Sequence, residues 1–119
     1  MFTREVIREK RHQRTRKRIF GTVERPRVCV YRSLKHLYVQ AIDDANSATL
    51  CATSTVDKDV RKLVTDLNKS QQAEKLGQVM SKKLLDKGIK KIAFDRGGYL
   101  YHGRVKALAE SMRQGGIDF

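Results

Sequence analysis

From Pro26 onward the chain alternates between apolar and polar residues. Val28 and Val30 alternate with Arg27, Cys29 and Tyr31, and Leu37, Val39 and Ala41 alternate with His36, Tyr38 and Gln40. A period of two places each set on one face of a strand. The polar tip Arg32-Ser33-Leu34-Lys35 between the runs predicts a β-hairpin. Asp43-Asp44-Ala45-Asn46-Ser47 is a turn cluster. A third strand follows, expected to turn Leu50, Ala52 and Val56 one way and Thr49, Cys51, Thr53 and Thr55 the other. One face of this meander is aliphatic and needs a cover. The other carries Arg27, Tyr31, His36, Tyr38, Gln40 and threonines, and can stay wet or meet a polar partner.

The period then lengthens to that of a helix. Asp57 to about Leu67 places Val60, Leu63, Val64 and Leu67 on one side. After Asn68-Lys69-Ser70, a longer helix is predicted from an N-cap at Ser70 to Lys87. Ala73, Leu76, Met80, Leu84 and in part Val79 face inward, and Gly88 ends it. Ile89 to Asp95 reads as a buried strand. The order strand–helix–strand predicts a right-handed crossover with the flanking strands parallel. A last helix spans Gly103 to Arg113, with Val105, Leu108, Ala109 and Met112 on one stripe. Gly115-Gly116 stops it, and Ile117 and Phe119 can fold back on the core. The expected class is α/β. A mixed sheet, an antiparallel three-stranded meander plus one parallel strand by crossover, is covered by helices and preceded by a basic N-terminal arm.

The arm differs from the rest. Between Arg4 and Arg18 there is no Gly or Pro, which permits a helix, yet only Val6 and Ile7 are apolar. Such a segment has no stripe to dock on a core or enter a bilayer. Residues 1–27 hold ten basic and three acidic residues, a net of +7 out of the chain's +13. Residues 1–24 are therefore expected to form an arm that orders when phosphates neutralise it, and 25–119 one domain. The eight cations from Arg4 to Arg18 (Arg4, Arg8, Lys10, Arg11, Arg14, Arg16, Lys17 and Arg18) exceed what a solubilising tail needs.

Bulk properties narrow the classes further. The 119 residues fit a single domain, and 39% hydrophobic residues allow a modest core. No run approaches the roughly 18 to 20 apolar residues that span a bilayer, and the charged N-terminus has no secretory pattern, so a cytoplasmic location is expected. Cys29 and Cys51 show no metal-site spacing and read as reduced structural thiols. A pI near 10.1 makes a polyanion the expected partner, nucleic acid before membrane.

Two segments carry candidate contact chemistry besides the arm with its neighbours Arg25 and Arg27. Asp95-Arg96-Gly97-Gly98-Tyr99-Leu100-Tyr101-His102-Gly103-Arg104 joins a buried strand to a helix. Paired glycines allow positive φ and close approach of another backbone. Arg96 and Arg104 add charge, and Tyr99, Tyr101 and His102 offer planar groups to bases. A tight turn with tyrosines in the core is the plainer alternative. The spacing Gly97, Gly98, Gly103 fits neither a dinucleotide nor a P-loop fingerprint. The hairpin tip interleaves Tyr31, Arg32, Ser33, Lys35, His36 and Tyr38, suited to phosphate and ribose contacts; an ordinary exposed turn is the plainer alternative there. A metal-dependent nuclease would need Asp43, Asp44 and Asp95 to converge, and aspartates in turns more often cap their own backbone. With only His12, His36 and His102 in the chain, no catalytic residue, metal or cofactor is expected.

Arg25-Pro26-Arg27-Val28-Cys29-Val30-Tyr31-Arg32-Ser33, Lys35-His36-Leu37-Tyr38-Val39-Gln40 and Ile42-Asp43-Asp44 resemble the first hairpin of the bacterial-type large-subunit ribosomal protein eighteen family. Lys87-Gly88-Ile89-Lys90-Lys91, with Phe94 through Ala109, resembles that family's C-terminal signature. Leu34 and Cys29 depart from its usual residues. The resemblance spans essentially the whole chain. It implies a non-enzymatic structural protein of the large ribosomal subunit that binds 5S rRNA and helps attach it to the large rRNA at the central protuberance. It also implies contact with neighbouring large-subunit proteins, no small-molecule substrate, and RNA contacts on the arm, the Arg32–Tyr38 tip and the Arg96–Arg104 loop. A generic polyanion-binding domain is the alternative of a different class.

Overall fold

The computed structural model describes residues 3–119. Helix α1 spans Arg4–Arg16, and strands β1 (Arg27–Arg32), β2 (Leu37–Asp43) and β3 (Ala48–Ser54) form the meander. Helices α2 (Lys58–Val64) and α3 (Lys69–Asp86) follow, then β4 (Ala93–Asp95) and α4 (Gly103–Gln114). The sheet order is β3-β2-β1-β4, with β1 antiparallel to β2, β2 antiparallel to β3, and β4 parallel to β1. The mixed α/β fold is thus the one the periodicity predicts. Strands β3 and β4 point the same way but lie at opposite edges, so the α2–α3 connection carries the chain across the whole sheet.

Val28, Val30, Leu37, Val39 and Ala41 form the aliphatic sheet face. Val60, Val64, Ala73, Leu76, Met80, Leu84, Val105, Leu108 and Met112 close over it in one buried cluster. Leu63 does not join them and is half exposed. Asp57 starts α2, but its carboxylate accepts from the Ser54 N–H and hydroxyl, pinning the end of β3. Helix α3 begins earlier than Ser70. Asn68 caps it, accepting from the Gln71 N–H, while the Gln71 amide accepts from the Asn68 N–H. This is a capping box, and its Asn-x-x-Gln spelling is in the sequence.

Strand β3 corrects the sequence reading. Val39 faces Thr53 and Ala41 faces Cys51, but Ile42 faces Thr49, so Leu50 is an extra residue in a β-bulge. A bulge inverts the parity of everything beyond it. Thr53 and Thr55 are therefore buried, whereas Ala52 and Val56 are exposed. The strand expected over 89–95 is also shorter. The Ala93 N–H donates to the Pro26 carbonyl, and Pro26 has no N–H to extend the ladder. Upstream of this, Lys90 and Ile92 bond to the C-terminal Asp118 instead. That contact, with Phe119 stacked on Phe94, folds the tail back as expected.

Small residues let α3 and α4 approach closely. A methyl added at Gly77 would lie 2.7 Å from Ser111 Cβ and 2.9 Å from the Leu108 carbonyl oxygen. On an exposed helix, Gly→Ala gains about 1 kcal/mol. Here the clash reverses that sign: Gly77→Ala is expected to destabilise by about 1–2 kcal/mol, read as a lower urea midpoint at unchanged slope.

Candidate nucleic-acid interface

Arg27 begins β1 on the face opposite Val28, and it is only 4% exposed. Its Nε and Nη2 donate to Asp44 at 2.9 and 3.1 Å, and its Nη1 donates to Asp95 at 2.8 Å. Asp44 also accepts from the Gly21 N–H, and Asp95 from the Gly97 N–H. Burial alone would lower the Arg27 pKa, but the hydrogen bonds to both carboxylates outweigh it and raise the value. Asp44 is held below the ordinary carboxylate range, chiefly by its hydrogen bonds to Arg27. For Asp95, burial pushes upward, and the Gly97 N–H, His12 and Arg27 together win, so its pKa is lowered. Arg27, expected among the RNA contacts, thus spends its guanidinium inside the fold.

Helix α1 docks on this network without a buried residue of its own. His12 Nε2 lies 2.8 Å from Asp95 Oδ2, Arg16 reaches Asp44 at 3.5 Å, and Arg8 Nη1 donates to the Gly97 carbonyl at 2.8 Å. Polar contacts do what the absent apolar stripe could not. They explain the paired glycines as well. A Cβ at residue 97 would sit 2.3 Å from the Val30 carbonyl oxygen, and one at residue 98 would sit 2.2 Å from that of Arg8. Both residues have positive φ. The backbone that approaches Gly98 is therefore the arm of the same chain.

The loop is tied to the hairpin tip in turn. Tyr99 is buried, and its hydroxyl donates to the Arg32 carbonyl and accepts from the Arg32 N–H, both at 3.1 Å. The guanidinium groups of Arg8 and Arg32 stand 4.8 and 4.9 Å from the Tyr99 ring centre. Arg104 donates to the Ser33 carbonyl at 3.0 Å, and its pKa is lowered by burial first and by Arg32 second. Ser33 and His36 close the tip on each other, and His36 Nδ1 contacts Thr55. Tyr101 accepts from Arg113, and His102, just ahead of α4, and Gly103, its first residue, are exposed. Arg4, Lys10, Arg14, Lys17, Arg18, Lys35 and Arg96 are exposed, and so is Arg25, which reaches the Ile92 carbonyl. Tyr31 and Tyr38 pair on the open sheet face, ring centres 5.8 Å apart. A groove of about 780 Å³ runs between α1, the tip and the loop.

The carboxylates do not assemble a hydrolytic centre. Asp43 caps its own turn, accepting from Ala45 and Asn46, and Asp44 and Asp95 both embrace Arg27. The fold does bring His12, Cys29 and Asp95 within 4.8 Å of one another, a grouping that linear spacing could not reveal. Burial first, and the charge of Asp95 second, push the Cys29 thiol up to about 11. A metal would need a thiolate there and would displace a guanidinium from Asp95. The donor set suits the protein's own cation.

Cations from three separate segments, fixed on an α/β core and presented to solvent, define a polyanion-binding protein of the RNA-binding class. The family model described as "Ribosomal L18 of archaea, bacteria, mitoch. and chloroplast" matches residues 2–119, and this chain belongs to that ribosomal protein family. It is 52% identical over 117 residues to the large ribosomal subunit protein uL18 of Caldanaerobacter subterraneus subsp. tengcongensis, covering 98% of this chain and 96% of that one. The uL18 of Thermotoga petrophila is 51% identical over 112 residues, covering 94% and 92%. That of Bacillus mycoides is 49% identical over 116 residues, covering 98% and 95%. The family is structural and non-enzymatic.

Two outcomes test the network. Asp44 and Asp95 are depressed in the fold, so their stabilisation is fully present above their ordinary values and fades as pH falls through the folded ones. The melting temperature should drop below about pH 4, and Asp44→Asn should start lower at neutral pH and drop less on acidification. Gly98→Val should release the arm, seen as faster proteolysis within residues 4–16 while the α3–α4 core stays protected; unchanged cleavage would mean that the loop does not hold α1.

Proposed function

We propose that this protein is a structural component of the large ribosomal subunit that binds 5S rRNA and helps fasten it to the large rRNA at the central protuberance, beside neighbouring ribosomal proteins. Membership of the L18 family supports the ribosomal assignment, and its relatives, large ribosomal subunit proteins uL18, support the large subunit. One observation carries the RNA-binding reading. Arm, hairpin tip and glycine loop are far apart in sequence, yet Arg8–Gly97, Tyr99–Arg32 and Arg104–Ser33 bonds weld them into one cationic surface. The domain supplies shape complementarity, and residues 1–24 supply most of the phosphate neutralisation.

The exposed cations of this surface release counterions when they meet phosphates. With about six phosphates contacted, log K for a 5S rRNA transcript against log salt should fall with a slope of about −4 to −5, measured by filter binding. A flat slope would remove the electrostatic basis of the reading. Equal affinity for unrelated structured RNA at physiological salt would favour a generic polyanion binder instead.

A further inference from the structure

Helices α2, α3 and α4 cover one face of the sheet, and α1 ties to the Arg27 end of the other. Beyond α1 that second face carries two rows running across the strands. In one, Tyr38 stands between Tyr31 and Ser54; in the next, Gln40 stands between Cys29 and Ala52. Tyr31 is 53% exposed and Tyr38 37%, and Gln40 and Ala52 are exposed beside them. Because Cys29, Ala52 and Ser54 are small, the two rings border a recess of about 460 Å³.

Three observations set this recess apart from the basic groove. Among the described residues its lining includes no lysine or arginine, in a chain with 26 of them, and its one charged member, Asp57, is bound to Ser54. Among the described residues the Tyr31 and Tyr38 hydroxyls and the Gln40 amide make no hydrogen bond. The neighbouring edge of β3 is closed: Lys83 donates to the Ala52 carbonyl at 3.0 Å, the Ser54 N–H donates to Asp57, and the bulge at Leu50 breaks the ladder. Phosphates gain little from a surface without cations. Few charges and prominent tyrosines are the composition of the centre of a protein–protein interface. A partner strand cannot add to a closed edge. A partner helix has already paired its backbone groups, so it would bury two phenols and an amide without partners. A polyproline-type segment has free carbonyls along its length and lays its rings on aromatic walls.

We propose that this recess docks an extended, uncharged, proline-containing segment of a neighbouring protein in the large subunit, its rings against Tyr31 and Tyr38 and its carbonyls on their hydroxyls and the Gln40 amide. This rests on the large-subunit reading above and adds where a protein neighbour attaches and by what chemistry. It leaves the phosphate contacts of the hairpin tip to Arg32 and Lys35. RNA and protein then take separate surfaces of one small domain, distinguished by charge.

Full-length Tyr38→Ser, Gln40→Arg and Ala52→Arg proteins test it, because all three side chains are exposed and none belongs to the buried core. Each variant competes in cells with the parental protein for entry into large subunits, and separately binds a 5S rRNA transcript. Incorporation should fall by about three- to tenfold, while 5S affinity and its salt slope stay parental. A photo-crosslinking residue at position 40, irradiated in purified large subunits, should capture an uncharged, proline-containing peptide of one ribosomal protein. Parental incorporation of all three variants would overturn the proposal, as would an adduct with a charged or helical peptide, with a second copy of this chain, or no adduct. An adduct with a nucleotide, or tighter 5S binding with a steeper salt slope in either arginine variant, would put RNA on this face and overturn it too. Parental protein that never enters large subunits would instead defeat the underlying reading, and the proposal with it.

Discussion

One buried guanidinium organises this molecule. Arg27 stands at the entry to β1 with Asp44 on one side and Asp95 on the other. Through Asp44 it fixes the turn after β2 and the approach of the chain at Gly21. Through Asp95 it fixes the end of β4 and the start of the glycine loop. Withdrawing an arginine from water is costly, and losing either carboxylate would leave the buried guanidinium only half compensated. Two carboxylates and good geometry make the arrangement sustainable. Hydrophobic burial stabilises the other face of the sheet; on this face the binding is polar and directional.

Directional polar ties leave a basic helix open to solvent. An apolar stripe on α1 would have docked it firmly and hidden part of its surface. Docking through His12, Arg16 and Arg8 leaves Arg4, Arg14 and most of the helix in water. Gly97 and Gly98 serve the same end. Their missing side chains admit the Val30 and Arg8 carbonyl groups, so the loop joins strand to arm and has no free space for a foreign backbone at those two positions. Tyr99 then acts as a spacer between two guanidinium groups, and its ring keeps those like charges near one another without an acid between them.

Most of the architecture is legible in the sequence because period and punctuation agree. Val28, Val30, Leu37 and Val39 alternate cleanly; Leu76, Met80, Leu84, Leu108 and Met112 recur at helical spacing; and all are buried. The misreadings have local causes. The bulge at Leu50 inverts β3, and nothing in Ala48–Ser54 announces an extra residue. Pro26 shortens β4 from the neighbouring strand, which a reading of residues 89–95 alone cannot detect. At the interface, the three cationic segments were visible as composition. Their union was not, because the ties run from Arg8, Tyr99 and Arg104 to backbone carbonyls, which no side-chain pattern marks. Arg27 looked like its neighbours in a basic sequence. Only the convergence of Asp44 and Asp95, 17 and 68 positions away, distinguishes it.

The charge imbalance of +13 follows a spatial logic once those ties are known. Exposed like charges repel over roughly a Debye length of about 8–10 Å, so a basic surface is built at the expense of its own stability. Here the acids are placed where they hold the scaffold together. Of the thirteen acids, Asp44 and Asp95 serve the Arg27 network, Asp43 its turn and Asp57 the end of β3, leaving nine against 26 lysines and arginines. The lowered pKa of Arg104 is set first by burial and only second by the charge of nearby Arg32. The free protein therefore carries like-charge repulsion on its outer arginines, while the internal Arg27–Asp44 and Arg27–Asp95 pairs keep that basic surface in shape.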